Sequence, residues 1–137
     1  MVGHGGLGSG NSSYGNLQFK LIRDGLTNVR IAVLENAPYV ADVAMPWEWL
    51  DGKRPNTIYV HPLLLVLGDH AQNDLFGDEE DSVINELADY GYEVKPIHSA
   101  LGEYEAIQDI FRQHVQDCID DLYGKRSPHR PTIPNIK

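Results

Sequence analysis

Cysteine is nearly absent from this chain. Cys118 stands alone among 137 residues, which excludes an internal disulfide and fits a reducing, cytoplasmic compartment. Long apolar runs are absent too: no stretch approaches the roughly 20 residues that cross a bilayer. The opening MVGHGG has neither the basic nor the apolar part of a secretory signal, so neither export nor membrane insertion is expected. Cations are scarce, with eleven Lys and Arg against twenty Asp and Glu and a net charge of −9. That balance opposes sequence-independent binding to nucleic acid or to an anionic membrane, and an acidic small molecule would need a local basic patch. What is present, 42% hydrophobic and 23% charged residues, is the composition of one ordinary globular domain with a core of its own.

The segment GHGGLG fits the dinucleotide-binding pattern G-x-G-x-x-G through Gly3, Gly5 and Gly8. That motif works only between a strand and a helix N-terminus, which together aim backbone N–H groups at a pyrophosphate. Only Met1 and Val2 precede it, so no phosphate cradle is expected.

Beyond it, Tyr14, Leu17, Leu21 and Ile22 recur at helical spacing, with Asn11 or Ser12 as a cap and Gly25 as a stop, which predicts a helix over about 11–26. NVRIAVLEN is a short run rich in β-branched residues, a strand buried on both faces, with Glu35 at its outgoing end. YVADVAMPWEWL predicts a short helix interrupted near Pro46, and DGKRPN a turn. TIYVHPLLLVLGDH predicts the next strand, ending at Gly68, Asp69 and His70. GDEEDSVINELADYG carries acids where a helix N-terminus favours them and Gly91 as its stop. YEVKPI is the following strand. A last helix, from about Glu103 to Tyr123, aligns Tyr104, Ile107, Phe111, Val115, Cys118 and Leu122 in one apolar stripe, with Cys118 as a small core residue. GKRSPHRPTIPNIK is an extended, basic, proline-rich arm.

Helices alternating with strands predict an α/β fold with a parallel sheet, and ligands of such sheets bind beyond the carboxyl ends of the strands. Glu35 and His70 stand at that edge. Two histidines and a glutamate converging there could hold a divalent metal and leave positions open for exchange. The plainer alternative is a solvated glutamate and a hydrogen-bonded loop histidine. His4 joins them only if a strand leads into it, and the chain offers no room for one.

LLLVLGDHAQNDLFGDEEDS at residues 63–82, followed by GYEVKPI and LGEYEAIQDIFRQH, closely resembles the anaerobic cobalt chelatase family of cobalamin biosynthesis, the sirohydrochlorin cobaltochelatases. VGHGGLGSGNSSYGNL resembles that family's MGHGT loop, and AVLENAPYVADV its glutamate-bearing segment. The resemblance implies a three-layer αβα, flavodoxin-like parallel sheet. It covers residues 1–123 as a chelatase-like domain, with 124–137 as the arm. It implies metal-binding and catalytic roles for His4, Glu35 and His70. It also implies cobalt as the metal substrate (Fe²⁺ or Ni²⁺ as alternatives), sirohydrochlorin or a related tetrapyrrole as the other substrate, and no organic cofactor. The activity implied is that of a lyase forming nitrogen–metal bonds in porphyrin and cobalamin biosynthesis. The alternative is a non-catalytic module, derived from a chelatase half, that holds a tetrapyrrole, haem or metal.

The chain departs from the family in two respects. Its loop is glycine-rich, at Gly6, Gly8 and Gly10, where the family has Thr and a further His. It also corresponds to the C-terminal half of enzymes about twice as long, and it starts at the loop with the first strand missing. Self-association or a complementing second chelatase half is therefore expected. The ring's carboxylates would reach solvent or cations such as Arg23, Arg30, Lys53 or Arg54. Trp47 and Trp49 are read as packing residues, and His61 and His98 as supporting groups behind the site.

Overall fold

The computed structural model describes residues 1–45, 54–69 and 71–125, which form two compact units, Met1–Leu101 and Gly102–Lys137. The first contains β1 (Val2–Gly5), α1 (Ser12–Arg23), β2 (Ala32–Glu35), α2 (Val40–Ala44), β3 (Thr57–Val60), α3 (Val83–Asp89) and β4 (Glu93–Pro96). The second contains α4 (Glu105–Leu122). The chain is thus α/β, and among the described residues every strand pair is parallel.

β1 pairs with β2, and β3 with β4. An isolated parallel bridge between Val2 and Pro62 joins the two sheets, carried by Val2 N–H to the His61 carbonyl at 2.9 Å and Leu63 N–H to the Val2 carbonyl at 2.7 Å. Across that bridge the strand order is β2-β1-β3-β4. The expectation that the first strand is missing is therefore corrected: Val2–Gly5 is that strand. Its sequence has little strand propensity, and its neighbours impose the conformation. Ala32 N–H donates to the Met1 carbonyl at 3.0 Å, and the Met1 amino group donates to the Arg30 carbonyl at 2.6 Å.

One face of the sheet carries the core, in which Val2, Ala32, Ile58 and Val60 pack against Val40 and Ala44 of α2 and Val83 and Leu87 of α3. α1 lies over the other face. There the Tyr14 ring occupies the space above Gly3, where a Cβ would stand 2.4 Å from the ring. Gln18 of α1 accepts from Ile31 N–H at 2.8 Å and donates to the Val29 carbonyl at 3.0 Å. Val33 N–H donates to the Pro38 carbonyl at 2.9 Å.

The predicted helix stops hold: Gly25 and Gly91 follow α1 and α3 at φ +86° and +85°, the left-handed region that favours glycine. Three further expectations are corrected. β3 ends at Val60 rather than running on toward His70, because Pro62 has no N–H to extend the ladder and residues 64–66 bend away. Asn11 does not cap α1 through its side chain, which bonds elsewhere. The stripe of α4 is not core: no residue of that helix is buried, and Cys118 is exposed. Pro46, Trp47, Trp49, Lys53, His70 and the arm from residue 126 lie outside the described residues.

Candidate functional site

The carboxyl ends of β1 and β2 lie side by side. Their register sets Gly3 against Val33 and Gly5 against Glu35, so His4 and Glu35 occupy adjacent strand ends. Pleating sends Glu35 to the face that carries α1 and half-buried His4 to the face that carries Val2. The two side chains can therefore share an ion only over the edge of the sheet. Nδ1 of His4 lies 3.3 Å from the Gly5 carbonyl. If Nδ1 carries the proton for that contact, the lone pair resides on Nε2, an atom by which neutral imidazole binds metals.

The loops that follow these strands are stitched to each other. Asn11 donates through Nδ2 to the carbonyls of Glu35 and Ala37 at 2.9 and 3.0 Å, and Asn36 donates to the Gly6 carbonyl at 2.9 Å. Gly5 N–H donates to the Tyr14 hydroxyl at 3.3 Å. Gly5 itself sits at φ +82°, and a Cβ there would stand 2.1 Å from the Glu35 carbonyl oxygen. The glycines of GHGG thus serve close approach: Gly3 admits a tyrosine ring and Gly5 a neighbouring backbone. Sequence reasoning placed Glu35 at this edge but missed Asn11, Tyr14 and Asn36 as the groups that hold it. An asparagine at a helix start reads as a cap, and nothing local reveals a partner 24 residues away.

Asn11→Ala removes both ties to the Glu35 loop. Urea denaturation is expected to register a loss of about 1 kcal/mol, since the freed carbonyls can reach water. Amide exchange should quicken in residues 5–11 while the core strands stay protected.

His70 lies outside the described residues; Gly68, whose carbonyl accepts from Ala71 N–H at 3.0 Å, and Asp69 precede it on the chain segment that follows β3. Among the described residues no three His, Cys, Asp or Glu side chains are grouped to hold a metal. Exposed His98 follows β4 at the same carboxyl edge, where its ring packs on Phe76 with centroids 4.4 Å apart.

Of the cations expected to meet a ring's carboxylates, Arg23, Arg30 and Arg54 are not at this edge, and Lys53 lies outside the described residues. Arg30 and Arg54 precede β2 and β3, and Arg23 ends α1, so all three belong to the amino end of the sheet. Arg30 is bound to the Thr27 and Val29 carbonyls, and Arg54 lies 4.3 Å over the Tyr92 ring. A cavity of about 460 Å³, lined by Met1, Arg30, Val43, Ile58, Val83 and Leu87 among others, does not include His4 or Glu35. Its lining does include His61 and Ile97, the first residues after β3 and β4.

Strand-end loops at one edge of a parallel sheet, cross-linked by side-chain amides, define an α/β protein of the kind whose ligands bind at the carboxyl edge. Over residues 1–120 the chain matches the cobalt chelatase (CbiK) family, and it belongs to that family. It is 29% identical over 119 residues to the sirohydrochlorin cobaltochelatase of Salmonella typhimurium (strain LT2), a match covering 87% of this chain and 44% of that relative. The chain thus spans less than half the length of the curated relative it matches. No helix among the described residues is long and apolar enough to cross a membrane.

Proposed function

We propose that this chain takes part in inserting a divalent metal, Co²⁺ first and Fe²⁺ or Ni²⁺ as alternatives, into sirohydrochlorin or a closely related tetrapyrrole. His4, Glu35 and His70 are the groups that present the metal. The observation that carries this reading is the β1–β2 register, which sets the positions of an imidazole and a carboxylate on neighbouring strand ends. Family membership supplies the chemistry.

The reaction exchanges one divalent ion for two pyrrole N–H protons. The metal must shed its ligands stepwise as the ring nitrogens take over. Imidazole and carboxylate donors suit this because they bind first-row ions without the grip of thiolates. Once the metal has moved on, an imidazole can accept a departing proton, and Glu35 offers a second acceptor. The cross-tied loops hold the strand ends in place, so that little ordering is left to be done when substrate arrives.

Mixing the purified protein with sirohydrochlorin and Co²⁺ and following the tetrapyrrole absorbance tests the proposal. The expected result is a catalysed spectral change that saturates with ring concentration. The 44% coverage of the relative favours one second reading, a half that binds without turnover. Stoichiometric binding of metal or ring in calorimetry, with no rate above the uncatalysed reaction, would establish that reading and overturn the first.

A further inference from the structure

The acid arms of a tetrapyrrole need partners, and a chain of net charge −9 offers them no general attraction. With Arg23, Arg30 and Arg54 at the amino end of the sheet, what remains at the carboxyl edge is single donors. Lys95 of β4 is paired with Glu93 at 3.2 Å. Nδ1 of His4 lies 3.3 Å from the Gly5 carbonyl, and Nδ1 of His61 lies 2.7 Å from the Pro62 carbonyl. His98 differs from both: among the described residues neither of its ring nitrogens has a hydrogen-bond partner.

Its place is fixed by the chain around it. Ile97 N–H donates to the Val60 carbonyl at 2.8 Å, which carries the β3–β4 ladder one residue past β4, and Leu101 N–H donates to the Leu64 carbonyl at 2.8 Å. The segment that bears His98 is thus tied at both ends to the chain around the end of β3. Within it the His98 ring packs on Phe76, with centroids 4.4 Å apart and planes at 55°, and Phe76 packs in turn against the core. A side chain held in this way has little freedom left to lose on binding.

The registers set its distance from the proposed metal ligands. Val60 pairs with Pro96 and Val2 bridges to Pro62, so His98 stands level with Pro62 and Val2. His4 then lies two strands across and two residues further along, about 12 Å from His98 between backbones at the usual sheet spacings. His4, Glu35 and His98 do not group around one ion. The acid arms of a tetrapyrrole whose centre lies at the β1–β2 ends do come within range of the His98 side chain.

We infer that His98 is a positioning residue that donates a hydrogen bond to a carboxylate on the rim of the tetrapyrrole. The inference rests on the proposed function and adds a second anchor to it. Imidazole carries an N–H in either protonation state, so the contact forms whether or not His98 is charged. Held near its centre by the metal site and at its rim by His98, a flat ring cannot turn in its own plane.

Separate calorimetric titrations of the full chain with metal-free sirohydrochlorin and with Co²⁺ test this. His98→Leu keeps an apolar side chain beside Phe76 and removes the donor. It is expected to weaken ring binding about tenfold, the scale of a hydrogen bond to a charged group, and to leave Co²⁺ binding unchanged. His98→Gln, which restores an N–H, should recover most of that loss. In the insertion assay the Leu variant should show a raised KM for the ring at an unaltered kcat. Equal ring affinity in the wild type and His98→Leu overturns the inference and leaves the proposed function standing. So does a loss that His98→Gln fails to recover, the mark of a packing role, or a weakened Co²⁺ affinity, the mark of a metal ligand. A wild type that binds no ring overturns the proposed function and this inference with it.

Discussion

Gly5→Ala is expected to destabilise the fold by about 3 kcal/mol or more, a large share of the stability of a domain this size. Two costs combine. An alanine at φ +82° loses roughly 1–2 kcal/mol to the left-handed backbone. Its Cβ would also stand 2.1 Å from the Glu35 carbonyl oxygen, so one of the two strands must move, and backbone cannot yield as a side-chain tip can. Gly6→Ala is the internal control. It has no neighbour within 4 Å of the added carbon, and it should change stability by no more than about 0.5 kcal/mol. Urea midpoints compare the two, and equal midpoints would mean that the β1–β2 contact does not govern this turn.

The second large effect concerns activity. Under the proposed function, His4→Ala and Glu35→Gln should each lower the rate of cobalt insertion by about 100-fold or more, the scale of losing a proton acceptor or a metal donor. Both should also weaken Co²⁺ binding in calorimetry while leaving the far-ultraviolet spectrum unchanged. Glu93→Gln serves as the carboxylate control. Glu93 begins β4 at the amino edge, and a hydrogen bond from Thr57, then Lys95, holds its carboxyl below the usual range. Its replacement should leave insertion intact. Retained insertion in His4→Ala would remove His4 from the mechanism.

Much of this was legible from residues alone, and the failures have physical causes. β2 announced itself because AVLE sits in an apolar, β-branched run, and Glu35 followed as its outgoing residue. α1 and α3 were legible because Gly25 and Gly91 mark their ends. β1 was not. A strand of one valine, two glycines and a histidine has no pattern of its own, and what makes it a strand is the ladder to Ala32, Val33 and Glu35 on one side and to His61 and Leu63 on the other.

The leucines at 63–65 read as strand because they are apolar, yet Leu64 packs against the core from a bend. Periodicity showed that α4 has an apolar side, but it could not say what covers that side. Resemblance to a family supplied His4; composition and spacing alone gave only an edge at which a metal could sit.

The outer rim of β2 has a bearing on how copies of this protein can meet. A strand at the border of a sheet normally offers free N–H groups as a template for a foreign strand, the commonest route to runaway aggregation. Here the Ile31 donor is taken by the Gln18 amide and the Val33 donor by the Pro38 carbonyl. One side chain and one turn have closed that template, so growth by strand addition is blocked along this rim. A second chain could add to this rim only by displacing the Gln18 amide and the Pro38 turn, so a glutamine on α1 keeps this border from serving as a template.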